Sequence, residues 1–197
     1  MAGVSARPPT AAQIDGCRRC ALWRTATHGV AGAGPAPAPM MLIGEQPGDQ
    51  EDLAALPFVG PAGRVLDELL LRAGITRAAL FVTNAVKHFK WEPRGKRRLH
   101  RRPNAQELEA CAPWLQQEIR AVRPRVIVLL GATAARALLG GSISIDRARR
   151  QLLRHESGAR IFVTYHPSAV LRAAEDADRL REVIVGDLVR AAAALKD

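Results

Sequence analysis

Four short apolar runs, Met40–Ile43, Leu80–Val86, Val126–Leu130 and Ile161–Thr164, punctuate this chain of 197 residues, each bounded by turn-forming residues. Their length and β-branched content suit strands buried on both faces. Between them the period changes. Gly63–Ala73 sets Val65, Leu66, Leu69 and Leu70 on one helical face, and Asn104–Val122 opens with an Asn N-cap three residues before Glu107. Thr133–Leu139 and Ala177–Leu195 complete the helical set. Strands alternating with helices leave few solutions, and the expected fold is α/β: three layers, α/β/α, around a central, mainly parallel four-stranded sheet. The length favours one domain, read as residues 13–197 behind a flexible N-terminal tail of residues 1–12. The Gly- and Pro-rich stretch Gly32–Pro39 is short and reads as a loop.

In such sheets ligands bind beyond the carboxyl ends of the strands. Three segments fall there: Gly44-Glu45-Gln46-Pro47-Gly48-Asp49 after the first strand, Asn84–His88 at the end of the second, and His166-Pro167-Ser168 after a later one. Glycines and a proline in the first allow backbone amides to approach a ligand closely. Glu45, Asp49 and Asp52 crowd the same region, although Lys and Arg outnumber Asp and Glu by 29 to 19 and leave a net charge of +10. A surplus of that size attracts polyanions, nucleic acid first among them. No run is long and apolar enough for a membrane span or the core of a signal peptide, so the expected location is the cytoplasm. Three cysteines there argue for metal binding, redox chemistry or burial rather than a disulfide framework.

The blocks read together are more specific than any one of them. The loop at Gly44, then Glu51-Asp52, Pro57-Phe58-Val59-Gly60-Pro61-Ala62-Gly63 and an amphipathic helix resemble the first motif of the uracil-DNA glycosylase superfamily, especially its family 4 iron–sulfur members. Val82-Thr83-Asn84-Ala85-Val86-Lys87 resembles the second motif and His166-Pro167-Ser168 the last. The resemblance runs from about Cys17 to Leu171. It implies a uracil-DNA glycosylase-like fold, uracil-containing DNA as substrate, preferably single-stranded, uracil as product, and a monomer. A base to be excised must leave the stack or be met in a single strand, then be held by stacking and by its edge. Phe58 supplies a stacking face, and Asn84 both donates and accepts, which suits uracil N3–H and O4. Gly44, Gln46, Pro47, Gly48, Asp49 and Asp52 complete the expected substrate loop. Breaking the glycosidic bond leaves negative charge on the base, for His166 and loop amides to stabilise, and positive charge on the sugar, for Glu45.

Cys17-Arg18-Arg19-Cys20 has the spacing of a metal knuckle, and Cys111 on the helix after Asn104 offers a third thiolate. On ligand type alone zinc suits such a site, and a lone C-x-x-C also suits a redox dithiol. Family 4 enzymes carry a cysteine shortly after the asparagine of the second motif, and the matching place here holds His88. The resemblance therefore implies a four-iron, four-sulfur cluster on Cys17, Cys20, His88 and Cys111, with a structural role.

From Lys87 to Arg102 basic residues dominate, with Phe89 and Trp91 interleaved, a composition that suits single-stranded nucleic acid. Lys87, Lys96, Arg97, Arg98 and Ser168 are the expected DNA contacts. Gly95-Lys96-Arg97-Arg98-Leu99-His100, together with Gln46, resembles the X-type branch of the superfamily, in which a histidine of a Lys-Arg-Arg-x-His loop becomes bonded to the sugar. That resemblance implies excision followed by capture of C1′ by His100 in a single turnover. A multiple-turnover glycosylase using water, and a non-catalytic metal-dependent nucleic-acid-binding module, are the competing expectations.

Overall fold

The computed structural model describes residues 7–196. In chain order the elements are α1 (Ala11–Asp15), β1 (Met40–Gly44), α2 (Asp49–Ala54), α3 (Pro61–Arg72), β2 (Leu80–Asn84), β3 (Trp91–Arg94), β4 (Arg97–His100), α4 (Ala105–Val122), β5 (Val126–Leu130), α5 (Ala132–Leu139), α6 (Ile145–Ala148), β6 (Leu153–Arg154), β7 (Arg160–Thr164) and α7 (Ala177–Ala193). Residues 1–6 of the expected tail lie outside the described residues. Within the rest of it α1 begins at Ala11, capped by Thr10: the Thr10 hydroxyl accepts from the Gln13 N–H, and the Gln13 side chain accepts from the Thr10 N–H. This reciprocal cap satisfies donors that a helix terminus otherwise leaves unpaired.

The sheet order is β2-β1-β5-β7-β6, parallel throughout except for β6, which runs antiparallel to β7. The sheet therefore has five strands where four were expected. The extra strand is two residues long, too short to leave an alternation in the sequence. All residues of β1, β2 and β5 are buried, which is why they read as unbroken apolar runs.

Strand side chains alternate between faces, and the core divides accordingly. Met41, Ile43, Phe81, Ile127 and Leu129 pack with Leu115 and Ile119 of α4 and with the alanines of α5. Met40, Leu42, Val126 and Val128 pack with Leu66 and Leu69 of α3 and with Ile184 and Leu188 of α7. Asn104 caps α4 as expected, in a reciprocal pair with Glu107 at 2.9 and 2.7 Å. Among the described residues, no helix is long and apolar enough to cross a membrane.

The charge-dense segment after β2, expected as a loop, forms an antiparallel hairpin of β3 and β4. Trp91 pairs with His100 at its base, and Gly95, with a φ of 58°, turns the tip. Pro93 and the density of charge hid the strands, because neither face carries an apolar stripe.

Candidate active site

A cleft of about 720 Å³ opens at the carboxyl ends of β1, β2, β5 and β7. Glu45, Phe58, Asn84, His100 and His166, drawn from five separate segments, line it together with Thr133. Parallel pairing sets Gly44 opposite Asn84, so the two strands deliver their loops to one place. A Cβ on Gly44 would come within 2.4 Å of Asn84 Oδ1 and 2.6 Å of the Phe58 ring. The glycine is the gap through which those side chains approach each other.

Phe58 has a left-handed φ of 57°, a strained conformation for an aromatic residue. Arg77 Nη2 donates to its carbonyl at 3.2 Å, and Gly63 leaves room where a Cβ would fall 2.0 Å from that oxygen. Glu51 closes the segment from inside: its two carboxylate oxygens accept from the N–H groups of Gly48 (3.1 Å) and Gly60 (2.9 Å). Glu51 was read only as part of a motif, since a carboxylate bridging two loop ends leaves no mark in spacing.

The Glu45 carboxylate is 17% exposed, with Oε1 lying 3.2 Å from His100 Nε2. Its Oε2 accepts the hydroxyl proton of Thr133, at the start of α5. Burial pushes its pKa upward, but the bonds to His100 and Thr133 and the nearby imidazoles outweigh burial and hold it below the ordinary carboxylate value. Thr133 is a site residue that the sequence reading missed.

His166 stands against Phe58, their ring centroids 6.2 Å apart. Burial pushes its pKa down to about 4, so the ring is neutral at physiological pH. The Ser168 N–H donates to His166 Nδ1 at 3.2 Å, and Ser168 Oγ lies 2.8 Å from the same nitrogen. An Nδ1 that accepts leaves the proton on Nε2, making His166 a neutral donor. Ser168, expected as a DNA contact, spends its N–H and hydroxyl on His166 and Arg172.

Gln46, expected among the substrate contacts, borders the cleft and also grips the hairpin from a buried position. Its amide donates to the carbonyls of Lys90 (3.1 Å) and Arg101 (3.0 Å) and accepts from the Lys90 N–H (3.2 Å). Asp49, which also borders the cleft, and Asp52 both bind the hairpin: Arg98 Nε meets Asp49 at 2.5 Å, and Arg98 Nη1 meets the fully buried Asp52 at 2.6 Å. Asp52 also accepts from the N–H groups of Thr27 and His28. Arg98 is therefore a clamp rather than an open phosphate contact, and its guanidinium lies over Phe89 and Trp91. Phe89 is buried and Trp91 donates its indole N–H to the Thr25 carbonyl, so neither is a free stacking platform. Lys87 is buried in an ion pair with Glu118 and cannot touch DNA. Lys96 and Arg97 remain exposed at the hairpin tip. Gly44 and Pro47 shape the loop without lining the cleft.

Among the described residues, no three His, Cys, Asp or Glu side chains are gathered closely enough to hold a metal ion. Of the expected ligands, Cys17, Cys111 and His88 are buried and Cys20 is half-buried, and the three thiols are free of disulfides. Cys17 Sγ accepts from the Trp114 indole at 3.2 Å, and Cys111 Sγ from the Lys87 N–H at 3.4 Å. The thiols still share one neighbourhood: burial pushes Cys111 up to about 11, with Cys20 and Cys17 adding to the rise. Burial lowers the His88 pKa, against the pull of Asp15 and Asp52. The donor types suit a thiolate-bound metal.

The family described as Uracil DNA glycosylase superfamily matches residues 31–188. A type-4 uracil-DNA glycosylase of Pyrobaculum aerophilum is 37% identical over 170 residues, covering 81% of each chain. One of Thermotoga maritima is 34% identical over 185 residues, covering 93% of this chain and 92% of its own. A type-5 uracil-DNA glycosylase of Pyrobaculum aerophilum is 35% identical over 100 residues, 48% of this chain and 39% of its own. With a parallel sheet that gathers the Gly44 loop, Asn84 and His166 at one cleft, and with matches over most of its length, this chain belongs to the uracil DNA glycosylase superfamily.

Proposed function

We propose that this protein excises uracil from DNA, preferably single-stranded, and that His100 then captures the sugar in a covalent bond. The observation that carries the reading is the pairing of His100 Nε2 with Glu45 Oε1 at 3.2 Å on the rim of the cleft, on a hairpin fastened there by Gln46 and Arg98. Phe58 offers the base a face, and Asn84 its edge contacts. As the N1–C1′ bond breaks, its electron pair leaves with uracil, and the neutral His166 donates from Nε2 to the base. The ionised Glu45 carboxylate stabilises the positive charge left on the sugar. A ring nitrogen of His100 gives its lone pair to C1′, and the remaining ring proton passes to Glu45. A tethered imidazole outcompetes water through its effective concentration. The imidazole then occupies the place a hydrolytic water needs, so one molecule performs one turnover.

Lys96 and Arg97 at the exposed hairpin tip would contact phosphates. For Cys17, Cys20 and Cys111, with His88 as fourth ligand, we propose a four-iron, four-sulfur cluster that ties the N-terminal segment to the sheet. Such a cluster would supply rigidity beside the DNA face. Visible charge-transfer absorption by purified protein is expected, and a colourless zinc protein would count against it.

Incubation with a uracil-containing single-stranded oligonucleotide, followed by a denaturing gel, tests the activity. A retarded band is expected, and His100→Ser should abolish it while leaving excision. Free DNA that becomes cleavable by alkali would instead indicate ordinary turnover, and no change in either assay would leave a binding module.

A further inference from the structure

Lys87 and Glu118 are both 0% exposed, and neither lines the cleft. The three ammonium protons of Lys87 go to Glu118 Oε2 (2.6 Å), Thr83 Oγ1 (2.6 Å) and the backbone carbonyl of Asn84 (2.9 Å). Glu118 Oε2 also accepts the Thr83 hydroxyl at 2.8 Å, while Oε1 accepts the Gly32 N–H at 3.0 Å. Gly32 permits that approach, because a Cβ there would lie 2.9 Å from Glu118 Oε1. The network is closed: its charges are satisfied by one another, by the Gly32 N–H and by Thr83 and Asn84 at the end of β2.

Stability does not account for such a pair. Exchanging a buried ion pair for apolar residues of similar volume is often neutral or stabilising, because desolvating two charges offsets their attraction. What the pair touches is Asn84, the last residue of β2, a strand paired with β1 on one side and on the other bridged by Ala33 at Val82, two residues short of Asn84. The geometry points to Lys87 and Glu118 as positioning residues: they fix the backbone at Asn84 so that its side-chain amide meets the hydrogen-bonding edge of uracil in register. The inference rests on reading Asn84 as the uracil contact. Displacement of about 1 Å at a reacting site is enough to cost roughly a hundredfold in rate.

The test is a mutational cycle in the whole protein. Lys87→Met alone would strand a buried carboxylate, so Lys87→Met is combined with Glu118→Leu. Excision under single-turnover conditions, DNA affinity with its salt dependence, and melting temperature are measured for wild type, the double variant, Asn84→Ala and the triple variant. Wild-type protein that leaves uracil in place would refute the proposed activity itself, before the cycle is read. The expected result is a folded double variant whose excision falls roughly a hundredfold. Its DNA affinity and salt slope should be unchanged, and Asn84→Ala should add little further loss, since residues acting as a unit are not additive. Full-speed excision by the folded double variant, or an undiminished Asn84→Ala loss within it, would overturn the assignment. A flattened salt slope would return Lys87 to the DNA surface and overturn it equally. If the double variant does not fold, Lys87→Gln combined with Glu118→Gln, which removes both charges and keeps polar partners, carries the same cycle.

Discussion

His166 shows how much chemistry one side chain takes from its neighbours. Ser168 occupies Nδ1, and burial pushes the ring down to about 4 from an ordinary 6.5. Between those values the unfolded chain binds a proton that the folded chain refuses. The stability linked to His166 is therefore complete above about pH 6.5 and is lost as the pH falls toward 4. His88, also lowered by burial, contributes in the same direction. The expected outcome is a melting temperature that declines across this window, with a shallower decline in His166→Asn. Equal slopes in the two proteins would mean that His166 is not held neutral by the fold. The position of His166 after a strand was legible in the sequence, but its protonation state was not, since it depends on burial and on which atom faces Nδ1. Lys87 teaches the opposite lesson: a lysine beside a basic run reads as surface, and only the presence of Glu118 thirty-one residues away makes its burial tolerable.

At the scale of elements, the hairpin of β3 and β4 is held by Gln46 at its base, by Asp49 and Asp52 on Arg98, by the Thr25 carbonyl on the Trp91 indole and by Glu45 on His100. A two-stranded hairpin is marginal in water without such support. Replacing Arg98 by Met removes charge-assisted bonds and leaves Asp52 with backbone donors only. A loss of about 1–3 kcal/mol in stability is expected, measured by urea denaturation. Gln46→Ala leaves the hairpin charges intact but frees the strand ends. Its expected effect is on capture: crosslinking slows by about tenfold or more while excision by the Glu45–Asn84–His166 cleft is retained, read from time courses on the same gel. A matching fall in both rates would place Gln46 in the excision step instead. The sequence paired Gln46 with the His100 loop through a family resemblance; in the fold the Gln46 side chain bonds the backbone at both ends of that hairpin.

For the whole molecule, the net charge of +10 makes DNA association depend on salt. Of the five residues expected to touch DNA, three are committed to internal partners, leaving Lys96 and Arg97 exposed at the hairpin tip. Alanine at both should flatten the slope of log affinity against log salt by about 0.7 per lost phosphate contact on single strands. Binding isotherms at several salt concentrations measure it, and an unaltered slope would move the DNA path elsewhere. Alternation of apolar runs with amphipathic stretches sufficed to determine a layered α/β fold, because burial on two faces writes itself into hydrophobic period. Glycines, the asparagine and the histidines marked the candidate site through the ordered blocks that carry them, which resemble those of the uracil-DNA glycosylase superfamily. Tertiary structure alone decided which charges were partners and which were contacts: Lys87 meets Glu118, and Arg98 meets Asp49 and Asp52, across 31 to 49 residues of chain. The free energy of a charge is set by what lies within a few ångströms of it, and sequence distance carries no record of that.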